Sequence, residues 1–534
     1  CSMLKRILII AFLSLILMQC ARRGSPSGGP IDETPPKVVR LEPNQKTLNF
    51  NSDRIRIYFD EYIKLNELRD QLVVSPPLEQ SKYLISPQGL PAKYLQIEFT
   101  DSLPSNTTYT FNFGQSIVDN NEGNVLPFYK YIFSTGNSLD SLSISGQIND
   151  AIKRNPDSFV SVMLYPYDSV FTDSIIFKDK PIYYTNTLDS LKEFTIENLK
   201  SGKYLLVAQK DQAKNYIFNP SVDKIDVFNN IISIPTDKKF DLTLFKETLD
   251  FEIKKVFQAG ENRVGFGYVG NATEIKIENE MKMNNNFSSI VSFDKETDTI
   301  YYWYKNLELD SLNFKIKNDT ITNTYVHKIK SADKDSLIVS FNPRNTLHLS
   351  DTVSVFTSTP IKKLNKKNMK LVYKDSINQE FEIQQVNPHK MVFNFKKTPN
   401  QKYDFQILPG SIFDFFDKTN DTITKTLRTK KRTDYGNISI RLINVPSFPI
   451  FVDLMNEKEE IKRSKYLSIR AGSVRFNNVI PGKYYLRARV DSNKNGIWDT
   501  GSYLRKTKPE PVIHFPNLLD IRANWELQEK FIFK

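Results

Sequence analysis

The best-formed chemical motif in the chain is Asp491-Ser492-Asn493-Lys494-Asn495-Gly496-Ile497-Trp498-Asp499. Its spacing places side-chain oxygens at positions 1, 3, 5 and 9, a carbonyl from Ile497 at 7, and glycine at 6, where a Ca²⁺ loop turns sharply. Asp491, Asn493, Asn495 and Asp499 are therefore candidate ligands of a weak Ca²⁺ site, and Ca²⁺ is the one cofactor the residues suggest. Ser502 stands at position 12 in place of a bidentate glutamate, and two asparagines leave the loop with little charge. The competing reading is an Asx/Gly turn between strands. An earlier segment, Asp211-Gln212-Ala213-Lys214-Asn215-Tyr216, keeps the surrounding pattern without the ligands, which implies a fold that does not need calcium.

Nothing else in the chain has catalytic spacing. There is no His-Glu-x-x-His, Gly-x-Ser-x-Gly, phosphate-cradling glycine loop or Cys-x-x-Cys, and His327, His348, His389 and His514 stand far apart. Carboxylate pairs such as Asp60-Glu61 lie in strand-like segments, where adjacent side chains face opposite ways. The pattern points away from an enzyme. The net charge is +12, but the lysines are mixed with 61 acids and run together only at Lys362-Lys363, Lys366-Lys367 and Lys430-Lys431-Arg432. A nucleic-acid binder would need a basic stripe interleaved with aromatics, so nucleic acid is not an expected partner. The run Tyr301-Tyr302-Trp303-Tyr304 is either a sugar-binding platform or a core strand; alternation would bury about half of it.

These residues must be positioned by strands. Segments such as Ile55-Arg56-Ile57-Tyr58-Phe59, Tyr109-Thr110-Phe111-Asn112-Phe113 and Met391-Val392-Phe393-Asn394-Phe395 alternate apolar with polar, the period of half-buried strands. No long stretch repeats every 3.6 residues, so the expected class is all-β. Ahead of the strands, Met3-Leu4-Lys5-Arg6 and the apolar run Ile7 to Met18 form an export signal, with Cys1 and Ser2 upstream of a start at Met3. The run is well short of the ~20 apolar residues of a spanning helix. Residues 1–19 are read as the signal, and 20–36, rich in Gly, Ser and Pro, as a flexible tether.

Leu17-Met18-Gln19-Cys20 resembles a bacterial lipobox, although Gln19 departs from the usual small residue before the cysteine. The resemblance implies an acylated Cys20 and a membrane-held protein; each buried acyl methylene contributes ~0.8 kcal/mol. With Cys20 acylated, the exported body has no thiol left for a disulfide framework. In residues 37–138, Pro35-Pro36-Lys37-Val38-Val39, Ile57-Tyr58-Phe59-Asp60-Glu61-Tyr62-Ile63, Thr107-Thr108-Tyr109-Thr110-Phe111-Asn112-Phe113, Ile117-Val118-Asp119 through Asn124 and Phe133-Ser134-Thr135-Gly136 follow the order of bacterial Ig-like domains of the SbsA type. That resemblance makes Asp119 and Gly123-Asn124 turn formers.

Residues 141–248, with Gly202-Lys203-Tyr204 entering a central strand, look like a transthyretin-like or carboxypeptidase-regulatory-like sandwich. A shift of 280 residues brings the same module back at 434–534: Gly202-Lys203-Tyr204 falls on Gly482-Lys483-Tyr484, Asp211 on Asp491, Phe218 on Trp498 and Phe245 on Trp525. Residues 341–433 echo the Ig-like module more weakly, and 249–340 form a β region of unassigned type. Tandem sandwiches of this kind build an elongated multi-domain rod.

A further pattern, Asp-Ser/Thr-aliphatic, occurs twelve times. It resembles the O-glycosylation acceptor of exported Bacteroidota proteins, which would place glycans on Ser102, Ser141, Ser169, Ser174, Ser190, Thr299, Ser311, Thr320, Ser336, Thr352, Ser376 and Thr422; the same triplet also opens strands after turns. The whole chain resembles a Bacteroidota outer-membrane lipoprotein. The resemblance implies a non-catalytic scaffold or adaptor in an envelope complex, with an outer-membrane β-barrel or its assembly machinery as partner. A surface glycan-binding lipoprotein is the alternative. Either face of the outer membrane is open to it: Arg22-Arg23 follow Cys20, and acids begin only at Asp32-Glu33.

Overall fold

The computed structural model describes residues 31–188, 192–272, 275–318, 321–374 and 377–533. The signal 1–19, Cys20 and most of the tether lie outside the described residues, as do Ser190, Thr320 and Ser376. The chain is all-β, and its one α-helical turn among the described residues is Leu68–Gln71. Alternation does the local work. In Arg54–Leu65, Ile55, Ile57, Phe59 and Ile63 are buried while Arg54 and Asp60 are exposed and Arg56 and Tyr58 only half-buried. Four such residues remove enough apolar surface to hold the strand, at about 1.5–3 kcal/mol each.

Module 1 (37–138) is a sandwich. One sheet runs Val38–Glu42, Arg54–Leu65, Ala92–Phe99, Tyr83–Ser86, and the other Val73–Ser75, Thr108–Asn112, Lys130–Ser134. Ile117–Asp119 pairs with the far end of Arg54–Leu65. Module 4 (341–433, entered through Val339–Asn342) repeats that order as Val339–Asn342, Val353–Thr357, Lys390–Asn394, Glu382–Asn387 against Ile423–Thr429, Lys402–Ile407, Met369–Tyr373. Its counterpart of the long strand is split, and the second piece, Ile361–Leu364, pairs with Ile412–Asp414. The capping chemistry repeats as well. Asp119 accepts the backbone N–H groups of Glu122, Gly123 and Asn124, and Asp414 those of Phe416 and Lys418.

Modules 2 (141–248) and 5 (434–534) match strand for strand. In module 2, Glu193–Leu199, Leu142–Asp150 and Lys239–Leu244 form one sheet, with the last two parallel. Tyr183–Asn186, Ser161–Pro166, Gly202–Lys210 and Lys224–Val227 form the other. Module 5 has Ser473–Val479, Gly436–Ile443, Glu526–Ile532 and then Ile461–Leu467, Ile450–Met455, Gly482–Val490, Val512–His514, with the same parallel pair. Tyr204 donates its hydroxyl to the Lys200 carbonyl, and Tyr484 does the same to Ile480. Module 3 (249–340) is also two-layered, with Glu252–Gly260, Arg263–Val269, Thr299–Lys305, Ser288–Asp294 on one side and Lys276–Asn279, Ser311–Asn318, Ile321–Lys328 on the other.

Five tandem sandwiches make an elongated multi-domain molecule. Its accessible surface of 30895 Å² exceeds the roughly 20,000 Å² expected of one compact globule of this mass. Chain neighbours are not the only spatial neighbours, however. Module 5 lies against module 2, nearly 300 residues earlier in the chain, and their side chains share one apolar cluster.

Candidate functional site

The Asp491 loop leaves Gly482–Val490, the central strand of module 5. Asp491 is buried, and both carboxylate oxygens are in use: one accepts the N–H of Asn495 (3.0 Å), the other the N–H of Gly496 (2.9 Å) and the hydroxyl of Tyr466 (2.8 Å). Burial pushes its carboxyl up, but these bonds outweigh burial and hold it below the usual range. The side-chain amides of Asn493 and Asn495 each donate to Asp499 (2.7 Å). Glu510 accepts the N–H groups of Ser492 and Asp499.

The module 2 copy shares the cap at the base of this loop. Asp211 accepts the N–H groups of Lys214 and Tyr216 in the same way. Left-handed φ values recur at the paired positions: 54° at Lys214 and 64° at Lys494, 64° at Tyr216 and 83° at Gly496. The turn thus forms with Ala213 at position 3 and with Asn215 and Asn219, at positions 5 and 9, accepting the N–H groups of Ile217 and Ser221, and the aspartate acts as a backbone cap in both copies. Among the described residues no three His, Cys, Asp or Glu side chains converge on a metal-sized centre.

Beyond the cap, the loop reaches across to module 2 as a clasp. Tyr503, 7% exposed, enters an aromatic pocket beside Phe177 and donates its hydroxyl to the Asp173 carbonyl (2.9 Å). Its backbone N–H meets Glu247, Thr500 donates to the Lys246 carbonyl, and Lys508 pairs with buried Asp226. Gly501 lies flat on Phe245: a Cβ there would stand 2.8 Å from the ring and 2.8 Å from the Thr507 carbonyl. From the other side, Arg154 of module 2 donates to the carbonyls of Phe515 and Pro516 and stacks 4.8 Å from the Tyr485 ring. Arg487 donates to the Ile152 carbonyl (2.9 Å). Burial, with Arg487 and Arg154 nearby, pushes His514 down to about 4, so the junction keeps it neutral.

A buried ion cluster stands behind the clasp. Asp453, 0% exposed, accepts from Arg487 (2.9 Å), from Arg489 (2.6 and 3.0 Å) and from Ser464 (2.7 Å). Burial alone would raise its carboxyl, yet Arg489, Ser464 and Arg487 together hold it low. The sequence reading missed this cluster. The signal was available in the repeat, where Arg487 and Arg489 replace Val207 and Gln209 on the same face of the central strand.

The other predicted residues are dispersed. Trp303 is 1% exposed, packed between His389 and Phe416 of module 4 with its Nε1 donating to Ser292. Tyr302 and Tyr304 are buried in module 3. Three rings of the run are therefore closed to stacking, while Tyr301 is half-buried beneath the Arg263 guanidinium, 4.9 Å from its ring. Of the hydroxyls in Asp-Ser/Thr-aliphatic triplets, Ser102, Ser141, Ser169, Ser336, Thr352 and Thr422 are exposed, Ser174 and Ser311 half-buried, and Thr299 is buried, closed to a modifying enzyme in the folded protein. They do not gather on one surface element.

Residues 32–135 match the bacterial Ig-like domain family, close to the limits expected for module 1. Module 1 is thus similar to a bacterial Ig-like domain. The matched stretch is well under half of the chain, and no curated protein matches it. Among solved structures, the S-layer protein SbsC aligns at 11% identity over 91% of this chain and 67% of that one, with a TM-score of 0.14. The Bacillus anthracis TIE protein aligns at 10% identity over 95% and 76%, TM-score 0.14. The I9–I11 tandem of titin aligns at 9% identity over 51% and 99%, TM-score 0.12. Likenesses at these TM-scores carry no functional argument.

Proposed function

We propose that the protein is a non-catalytic scaffold or adaptor, held at a bacterial outer membrane by an acylated Cys20 and binding protein partners in an envelope complex. The observation that supports this most is internal. Strand Val73–Ser75 of module 1 lies along the edge strand Tyr183–Asn186 of module 2, where the Val74 N–H meets the Tyr184 hydroxyl (3.1 Å) and the Tyr184 N–H meets Ser75 Oγ (3.2 Å). One sandwich here already packs a strand of its neighbour beside its sheet edge, through backbone-to-side-chain bonds rather than a ladder; an open edge of the same kind can take up a partner strand by main-chain pairing. An outer-membrane β-barrel, or the machinery that assembles one, is the partner class this reading favours.

The test is affinity purification of the tagged protein from detergent-solubilised membranes, beside a Cys20→Ala variant. A stoichiometric partner and release of the variant into the soluble fraction are expected. A protein that always purifies alone, or a variant that stays on the membrane, overturns the reading.

A further inference from the structure

We propose that the outer edge of strand Ile461–Leu467 in module 5 is a docking edge for an extended acidic segment of a partner protein, which adds to the sheet as a further strand. The inference rests on the adaptor reading and names where and by what chemistry a partner binds.

The duplication supplies the argument. Ile461–Leu467 and Tyr183–Asn186 are counterparts: each is the terminal strand of its sheet beside Ile450–Met455 or Ser161–Pro166. In module 2 this edge is covered by Val73–Ser75, and the outward N–H of Tyr184 is met by Ser75. In module 5 the preceding Ig-like module does not reach it in that way. Its counterpart strand Met369–Tyr373 is closed off by its own hairpin partner Ile377–Asn378, and no strand pairs with the outer side of Ile461–Leu467 among the described residues. Through the registers Met163↔Tyr184 and Asp453↔Ser464, Ser464 takes the place of Tyr184, so its N–H faces outward. An extended strand with an open row of donors and acceptors is a template for another.

Charge selects the occupant. The covered edge is neutral, Tyr183-Tyr184-Thr185-Asn186, and it carries a neutral segment, Val73-Val74-Ser75. The open edge reads Ile461-Lys462-Arg463-Ser464-Lys465-Tyr466-Leu467-Ser468-Ile469-Arg470, with four cations and no acid within it; Lys462 pairs with Glu460 at its start, Arg463 is held by the Asn477 and Asn478 carbonyls and by Ser350, and Lys465 and Arg470 have no acidic partner among the described residues. Ile461, Tyr466 and Ile469 are exposed along it, at 44%, 42% and 77%, which offers apolar contacts between the cations. Like charges directly opposite destabilise a strand pair and opposite charges stabilise it. A second copy of this basic strand is therefore repelled, while a strand alternating acidic with apolar residues is complementary.

The test uses full-length protein and a synthetic peptide of about eight residues alternating Glu with Val, beside a Lys-for-Glu counterpart. Binding is followed by fluorescence anisotropy and by amide hydrogen exchange. The acidic peptide is expected to bind preferentially and to slow exchange across 461–467. Lys462→Glu with Lys465→Glu should weaken it by about tenfold or more and shift preference to the basic peptide. Ser464→Pro should remove the protection that Ser464→Ala retains: both lose the hydroxyl that donates to Asp453, and only proline removes the outward N–H. Equal binding of both peptides, protection elsewhere, or indifference to the double charge reversal overturns the proposal. An acidic peptide that fails to bind, while the wild type still co-purifies a stoichiometric partner, overturns this edge and leaves the adaptor reading standing. A wild type that purifies alone removes the adaptor reading itself.

Discussion

Asp453 and its two arginines occupy positions that module 2 fills with Met163, Val207 and Gln209. One scaffold thus supports either an uncharged or an ionic set at the same three sites. Removing one member of a buried ion cluster strands the others, and Asp453→Ala is expected to destabilise module 5 by about 3–5 kcal/mol in chemical denaturation. Replacing all three with their module 2 counterparts, Asp453→Met, Arg487→Val and Arg489→Gln, should restore most of that loss, since uncharged residues of similar volume need no counter-ion. A triple variant as unstable as the single one would show that the ions do more than neutralise each other. Arg487 also reaches the Ile152 carbonyl, so a residual loss confined to the junction with module 2 is expected.

At the scale of one element, the loop after Gly482–Val490 joins a cap at its base to a clasp at its tip. The cap is common to both copies; the clasp belongs to module 5. Asp491→Ala leaves the N–H groups of Asn495 and Gly496 and the Tyr466 hydroxyl without their acceptor, at a cost of about 1–3 kcal/mol. The same loss is expected in Ca²⁺ and in chelator, and Asp211→Ala should behave alike in module 2. A melting point that drops on chelation in the wild type, and no longer does in Asp491→Ala, would return the loop to its reading as a cation site. Phe245 and Trp525 illustrate how position in the assembly alters equivalent residues. Phe245 is buried because the clasp lies on it, whereas its counterpart Trp525 is 56% exposed.

Across the whole molecule, contacts between modules 2 and 5 tie the second half of the chain back onto the first. The junction joins polar contacts to the apolar cluster that Tyr503 and Trp498 share with module 2, as interfaces between domains do. Gly501→Val places side-chain atoms where the Phe245 ring and the Thr507 carbonyl already stand. The expected outcome is separation of modules 2 and 5 with each still folded. Small-angle scattering should then show a larger maximum dimension, and circular dichroism an unchanged strand signal. An unchanged scattering profile would mean that the remaining polar contacts hold the modules together unaided. Opening the clasp should leave strand Ile461–Leu467 as it was, because that edge does not contribute to the junction.

Strand periodicity, the repeat and the turn chemistry were all legible in the chain, because each depends on residues close in sequence: alternation in Arg54–Leu65, the paired Gly-Lys-Tyr entries, the Asp119 and Asp491 turns. The weak echo in 341–433 was legible too, although the splitting of its long strand at Ser358-Thr359-Pro360 was not. The Asp491 motif was ambiguous from its oxygens alone; the structure adds that its carboxylate caps backbone N–H groups, as Asp211 does. Burial of Trp303 between modules 3 and 4, the Asp453 cluster and the clasp of Tyr503 on module 2 depend on pairs separated by tens to hundreds of residues. No local pattern records which faces will meet. An all-β class and its duplication follow from short-range alternation; which edges are covered and which stay open is decided only when the modules pack, because an edge strand looks the same in sequence whether or not another strand lies beside it.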